Sequence, residues 1–228
     1  MKLPNEKLLR VISPPAEQTQ HDTGLRFTDI LFGFVISQIF LRLQHWGQLT
    51  SFSRWQLICS TVLVLGSWIG FRRSLNRSEY ELKFFNLPLF RFMLDQAMLV
   101  LYFRVATLTP LNPTKEVNAS QVTHDTVKAL VFIFVLYLAW DVLGQVMACL
   151  NKYTASARNL MAPVITAFAL GGCACLLHVV SAGSFNASMV LAVSTGILLA
   201  YRWLKEARSG WTWKSRKEPR HCPGCDCG

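Results

Sequence analysis

Six long apolar blocks constrain this chain more than any other feature. They lie near Phe27–Leu43, Trp55–Phe71, Pro88–Val105, Ala129–Leu150, Leu160–Val180 and Met189–Trp203. Each comes close to the ~20 residues that a helix needs to cross a bilayer core. Only 16% of the 228 residues are charged and 52% are hydrophobic, against roughly 25% charged in an ordinary soluble domain. The expected fold is therefore all-α, a polytopic membrane protein of about six transmembrane helices. The first and third blocks contain charges. For them an amphipathic helix lying on or re-entering the membrane is the alternative.

Charge placement sets the expected orientation. With the N-terminus inside, only Arg42, Arg54, Arg104, Lys115 and Lys128 of the 23 basic residues fall on outer segments, and the other 18 fall inside. Inner segments of membrane proteins carry such an excess. Both termini are thus expected in the cytoplasm, and the net charge of +10 needs no nucleic acid to explain it. Three segments follow: residues 1–22 as a polar, partly mobile lead-in, 23–204 as the membrane domain, and 205–228 as a basic tail. The start has no apolar stretch of signal-peptide length, and Pro4, Pro14 and Pro15 interrupt it.

Three acids sit inside these blocks, and on this topology all fall in the inner half of the membrane. Asp29 opens the first span, Asp95 lies two turns into the third, and Asp141 lies about nine residues from the inner end of the fourth. A lone carboxylate there is costly, so it neutralises or finds a partner. Arg91, four residues before Asp95, shares its helix face. Arg26, Arg72, Arg73 and Arg202 stand at the inner ends of other spans. One reading is an ion-pair network that fixes helix register. The other is a cation pathway or proton relay, and the two are compatible.

The fourth block carries a polar stripe at helical spacing: Tyr137, Asp141, Gly144, Gln145 and Ala148. Ala167, Gly171 and Cys175 in the fifth block, and Ala192, Gly196 and Ala200 in the sixth, form small-residue ladders. These suit close helix packing, within one bundle or an oligomer. His178 follows the first ladder and reads as a hydrogen-bonded bundle residue before a pH sensor. On the first span, the face Asp29–Gly33–Ile36–Phe40 is expected to turn toward the axis of an oligomer. Nucleotide loops, nucleophile elbows and zinc-protease helices are missing from the sequence. No cofactor is expected, and ordinary soluble-enzyme chemistry has little support.

The cytoplasmic loop after the second block and the C-terminal tail mix basic and aromatic residues, as headgroup contacts require. A soluble partner or a polyanionic ligand such as a nucleotide is a further use for them. His221, Cys222, Cys225 and Cys227 could supply four zinc ligands, in a run too short to enclose a metal as a folded site does. Lipidation of a tail cysteine is a rival, and a disordered end another. Two Asn-x-Ser matches, at Asn118 and Asn186, fit the glycosylation pattern and fall outside; in a bacterial chain they carry no meaning, and two matches by chance are unsurprising.

"FTDILFGFVI", Phe27–Ile36, resembles the Phe-Ser-Asp motif in the first helix of the lysosomal and bacterial six-helix potassium channels that lack the usual filter signature. "SWIGFRRSL" is similar to the end of that family's second helix. Thr28 stands where Ser is usual, and Gly70–Phe71 where a His is. The resemblance spans about 25 residues. It implies a pore lined by the first helix, with Ile36 and Ile39 as apolar constrictions. The expected function is an oligomeric channel or permease for cations, with the first or fourth span lining the path. In a bacterial inner membrane it could be an effector opened by a cytoplasmic signal. The alternative is a non-conducting scaffold that recruits a soluble partner. A third reading, a lipid-modifying enzyme using Asp95, Asp141 or His178, has no supporting spacing.

Overall fold

The computed structural model describes residues 15–75, 87–110, 118–150, 161–183 and 185–214. Side chains are described for 28–72, 90, 92–110, 118–146, 161–183 and 185–207. Within these bounds the regular structure is helical. Six helices run in order: α1 (Pro15–Leu43), α2 (Ser51–Leu75), α3 (Leu87–Thr107), α4 (Ala119–Leu150), α5 (Met161–Ser181) and α6 (Ala187–Lys214). A single 3-10 turn, Trp46–Gln48, joins the first two.

Local sequence chemistry sets the ends. Thr50, Asn118 and Asn186 each accept a bond from the backbone N–H three residues on, capping α2, α4 and α6. Both asparagines of the glycosylation pattern are thus helix caps. Proline leads α1, and Pro88 occupies the first turn of α3, where a missing N–H costs nothing. Gly183 ends α5 with φ 82°, a conformation that favours glycine.

Two bounds depart from expectation. α1 begins at Pro15, inside the stretch read as a mobile lead-in, because Pro15 is a good first helical residue. α6 continues past Trp203 to Lys214, since "LKEARSGWTWK" contains no proline to stop it. The tail residues His221, Cys222, Cys225 and Cys227 lie outside the described residues, as do the side chains of Arg26, Arg73, Arg91 and Ala148.

Three helical segments are long and apolar enough to cross a membrane: Ala119–Val146, Met161–Ser181 and Ala187–Ala207. The six expected spans therefore include three, on α1 to α3, that do not qualify by length and composition alone. Burial supports a membrane setting. Phe168 is 79% exposed and Trp203 71%, while Gln56, Ser60, Thr126 and Thr166 are wholly buried. Water would penalise such a surface, and lipid does not.

Helix pairing follows from side-chain bonds. Asp29, midway along α1, reaches Arg72 near the end of α2, and only a short turn joins Leu43 to Ser51, so these two are antiparallel. Thr126 and Tyr137 of α4 meet Gln56 and Ser67 of α2, so α2 and α4 run parallel and keep register over three turns. α6 packs on α2, α4 and α5, and α1 packs on α2 and α3. The largest apolar cluster lies among α1 to α6, with Phe134, Leu57, Leu63 and Leu130 at its centre.

Candidate functional site in the bundle

Tyr137 and Asp141 on α4 stand one turn apart, and so do Tyr201 and Lys205 on α6. The two pairs face each other. Lys205 Nζ donates to both carboxylate oxygens of Asp141, each at 3.0 Å, and to the Tyr201 hydroxyl at 2.7 Å. Thr166 of α5 donates its hydroxyl to Asp141 Oδ2. The Asp141 side chain is 4% exposed and that of Lys205 24%. The carboxylate is thus fully used: bifurcated by an ammonium and closed by a hydroxyl, as a buried charge demands.

A second group sits one layer away. Tyr137 and Tyr201 stack with centroids 5.6 Å apart, and Phe134 meets both edge-on. The Arg202 guanidinium lies over both tyrosine rings, at 5.4 and 5.6 Å. Its Nη2 donates to Ser67 Oγ and to the Tyr137 hydroxyl, both at 2.9 Å. Arg202 makes no ion pair with another described residue. A flat, weakly hydrated cation on tyrosine faces is a tolerable substitute for a salt bridge.

The hydroxyl protons run one way. Ser67 donates to the Leu63 carbonyl at 2.6 Å. Its oxygen therefore accepts from Tyr137, whose own proton is then committed. Tyr102 of α3 consequently donates to Tyr137, at 2.7 Å. The chain is Tyr102 to Tyr137 to Ser67 to a helix carbonyl.

Glycine makes the space. A Cβ on Gly70 would stand 2.3 Å from Arg202 Nη1, and one on Gly66 would be 3.2 Å from its Nε. The "GSWIG" stretch is a slot on α2 for the arginine of α6.

Two smaller polar sites flank this centre. Toward the C-terminal end of α2, Asp29 Oδ2 pairs with Arg72 at 2.7 Å, and Trp68 Nε1 donates to Oδ1 at 3.4 Å. At the opposite end Arg42 is buried and donates to the carbonyls of Thr109 and Gln38. The C-terminal end of α3 supplies partial negative charge there. Nearby, Gln56 donates to the Val105 carbonyl and accepts from Thr126.

The expected residues thus separate. Tyr137, Asp141 and Arg202 come together. Asp29 and Arg72 form their own pair. Asp95 is buried on α3, and Gln145 is half-buried on α4. Ile39 is in the apolar core, Ile36 packs against it, and Gly33 and Phe40 are exposed on α1. The ladder residues Ala167, Gly171 and Cys175, together with His178, also face outward in the single chain. Among the described residues, no group of three His, Cys, Asp or Glu side chains could hold a metal. Sequence reasoning missed Lys205, Thr166, Tyr201, Ser67 and Tyr102. The four-residue spacing of Tyr201 and Lys205 was the available signal.

The class these features define is an all-helical protein with helices able to cross a membrane and a polar centre within its bundle. Comparison with family models, curated proteins and solved structures finds no match.

Proposed function

We propose that the chain is an oligomeric channel or permease for small cations, with six spans and both ends in the cytoplasm. What carries the reading is the polar centre joining Tyr102, Tyr137, Arg202, Tyr201, Lys205 and Asp141. Polar and ionisable groups inside an apolar bundle are costly, and an ion path is one use that repays the cost. The resemblance around Phe27–Ile36 points the same way. So does the outward placement of Gly33 and Phe40 on α1, where a second copy would meet them. The inner membrane of a bacterium is the location this reading favours, with the basic loop and tail receiving a cytoplasmic signal, an anionic ligand or a soluble partner.

One observation favours the scaffold reading. Asp29 and Asp141 each already have a basic partner, and a locked network serves rigidity as well as transport. Ion flux in liposomes separates the two. Tyr137→Phe and Tyr201→Phe keep the rings and remove the hydroxyls. Each should lower cation flux about tenfold, equivalent to roughly 1.4 kcal/mol of barrier. Wild-type protein that is folded and passes no ions would leave the scaffold reading standing.

Topology has its own test. Single cysteines placed at Ala182 and at Lys214 should label from opposite sides of sealed vesicles. Labelling from one side would remove the six-span arrangement.

A further inference from the structure

Lys205 Nζ sits among oxygens as a bound metal cation would. It lies 3.0 Å from each Asp141 oxygen and 2.7 Å from the Tyr201 hydroxyl. Thr166 Oγ1, on a residue that is wholly buried, bonds Asp141 Oδ2, one of the two oxygens that hold the ammonium. These are hard oxygen donors from three helices, α4, α5 and α6, held in place by the packed bundle. The single carboxylate balances one positive charge. A divalent ion would leave an excess charge next to Arg202, which makes no ion pair with another described residue, so the electrostatics select a monovalent ion.

The ammonium is tethered rather than built in. Lys205 is one turn beyond Tyr201, close to the end of the apolar segment Ala187–Ala207, and its side chain keeps some solvent exposure. A four-carbon stem in that position can swing its tip toward the headgroups and back.

We propose that Asp141, Thr166 and Tyr201 form a site for a small monovalent metal cation, and that Lys205 occupies it as an internal substitute ion. This rests on the cation-pathway reading and specifies it: the site is closed while the ammonium is seated and open to Na⁺ or K⁺ when it swings out.

The test uses the full chain in detergent, with Lys205→Ala, Lys205→Ser and the double variant D141N/K205A. Melting temperature is compared in KCl, NaCl and N-methylglucamine chloride at one ionic strength. Wild type should melt at the same temperature in all three. Lys205→Ala and Lys205→Ser should melt about 5 °C or more higher in at least one metal salt than in the bulky organic salt, because ligand bound only to the folded state raises its stability. The double variant should lose that difference.

Equal melting of both single variants in all three salts would overturn the proposal. So would their failure to fold in every salt, since a filled site restores the charge balance. A gain on acidification in place of a gain with metal ion would assign a proton to Asp141 and overturn it as well. A flux-competent wild type with no salt effect in the variants sinks this site and keeps the pathway. A salt effect without flux keeps the site and sinks the pathway.

Discussion

Asp141→Ala should leave little folded protein, at a cost of about 3–5 kcal/mol. The substitution removes the acceptor of two Lys205 bonds and one Thr166 bond at once. What remains is an ammonium on Tyr201 with a guanidinium three residues before it on the same helix, and nothing negative between them. A loss of that size is a large part of the 5–15 kcal/mol that holds a typical domain folded. Removing both partners should be far milder. Asp141→Leu with Lys205→Met fills similar volume and leaves no orphan charge, so most of the folded yield should return. The fraction of monodisperse protein in size-exclusion chromatography, with its melting temperature, reads both. An Asp141→Ala protein that melts within about 2 °C of wild type, where 1 kcal/mol corresponds to roughly 2–4 °C, would mean that the pair is not worth its burial.

Gly70→Ala should cost about 1–3 kcal/mol, the usual penalty of forcing extra volume into a packed site. One methyl group displaces the Arg202 guanidinium, because the new Cβ would lie 2.3 Å from Nη1. The arginine tip is flexible, yet its retreat breaks the bonds to Ser67 and Tyr137. Gly66→Ala, at 3.2 Å, should cost less. Gly33→Ala and Gly196→Ala meet nothing within 4 Å and should be neutral or slightly stabilising. The cause is separable by a double-mutant cycle on melting temperature. In an Arg202→Ala background the Gly70→Ala penalty should vanish. A penalty that persists without the arginine would place the clash elsewhere.

Apolar periodicity located all six helices, because length and hydrophobicity are properties of a segment by itself. Asp29, Asp141 and Tyr137 were legible for a related reason: each is an oddity against its apolar surroundings. Their partners were not. Lys205 reads as one more cytoplasmic cation in a basic tail, and only the continuation of α6 past Trp203 brings it beneath Tyr201. An inner-end arginine was the expected partner for a buried acid. Asp29, only partly buried, pairs with Arg72, while the buried Asp141 takes a lysine. Ser67, Tyr102 and Thr166 look like common span residues, and nothing local tells a hydroxyl that bonds its own helix from one that bonds another. Gly66 and Gly70 were legible only as small residues. Their use depends on which side chain of α6 arrives opposite. Asn118 and Asn186 were read through a modification pattern, although an asparagine just before an apolar helical run is itself a capping signal.

The orientation of the hydroxyl chain has a consequence for what such a centre could carry. A relay passes protons only if each link can receive one and release another, and then turn over. Here Tyr102, Tyr137 and Ser67 all point toward the Leu63 carbonyl, and an amide oxygen has no proton to release onward. The row of hydroxyls ends in a dead stop. Water-like in composition, the row works in this arrangement as a brace: it ties α3 to α4 and α4 to α2 through side chains that each helix alone could not hold in place.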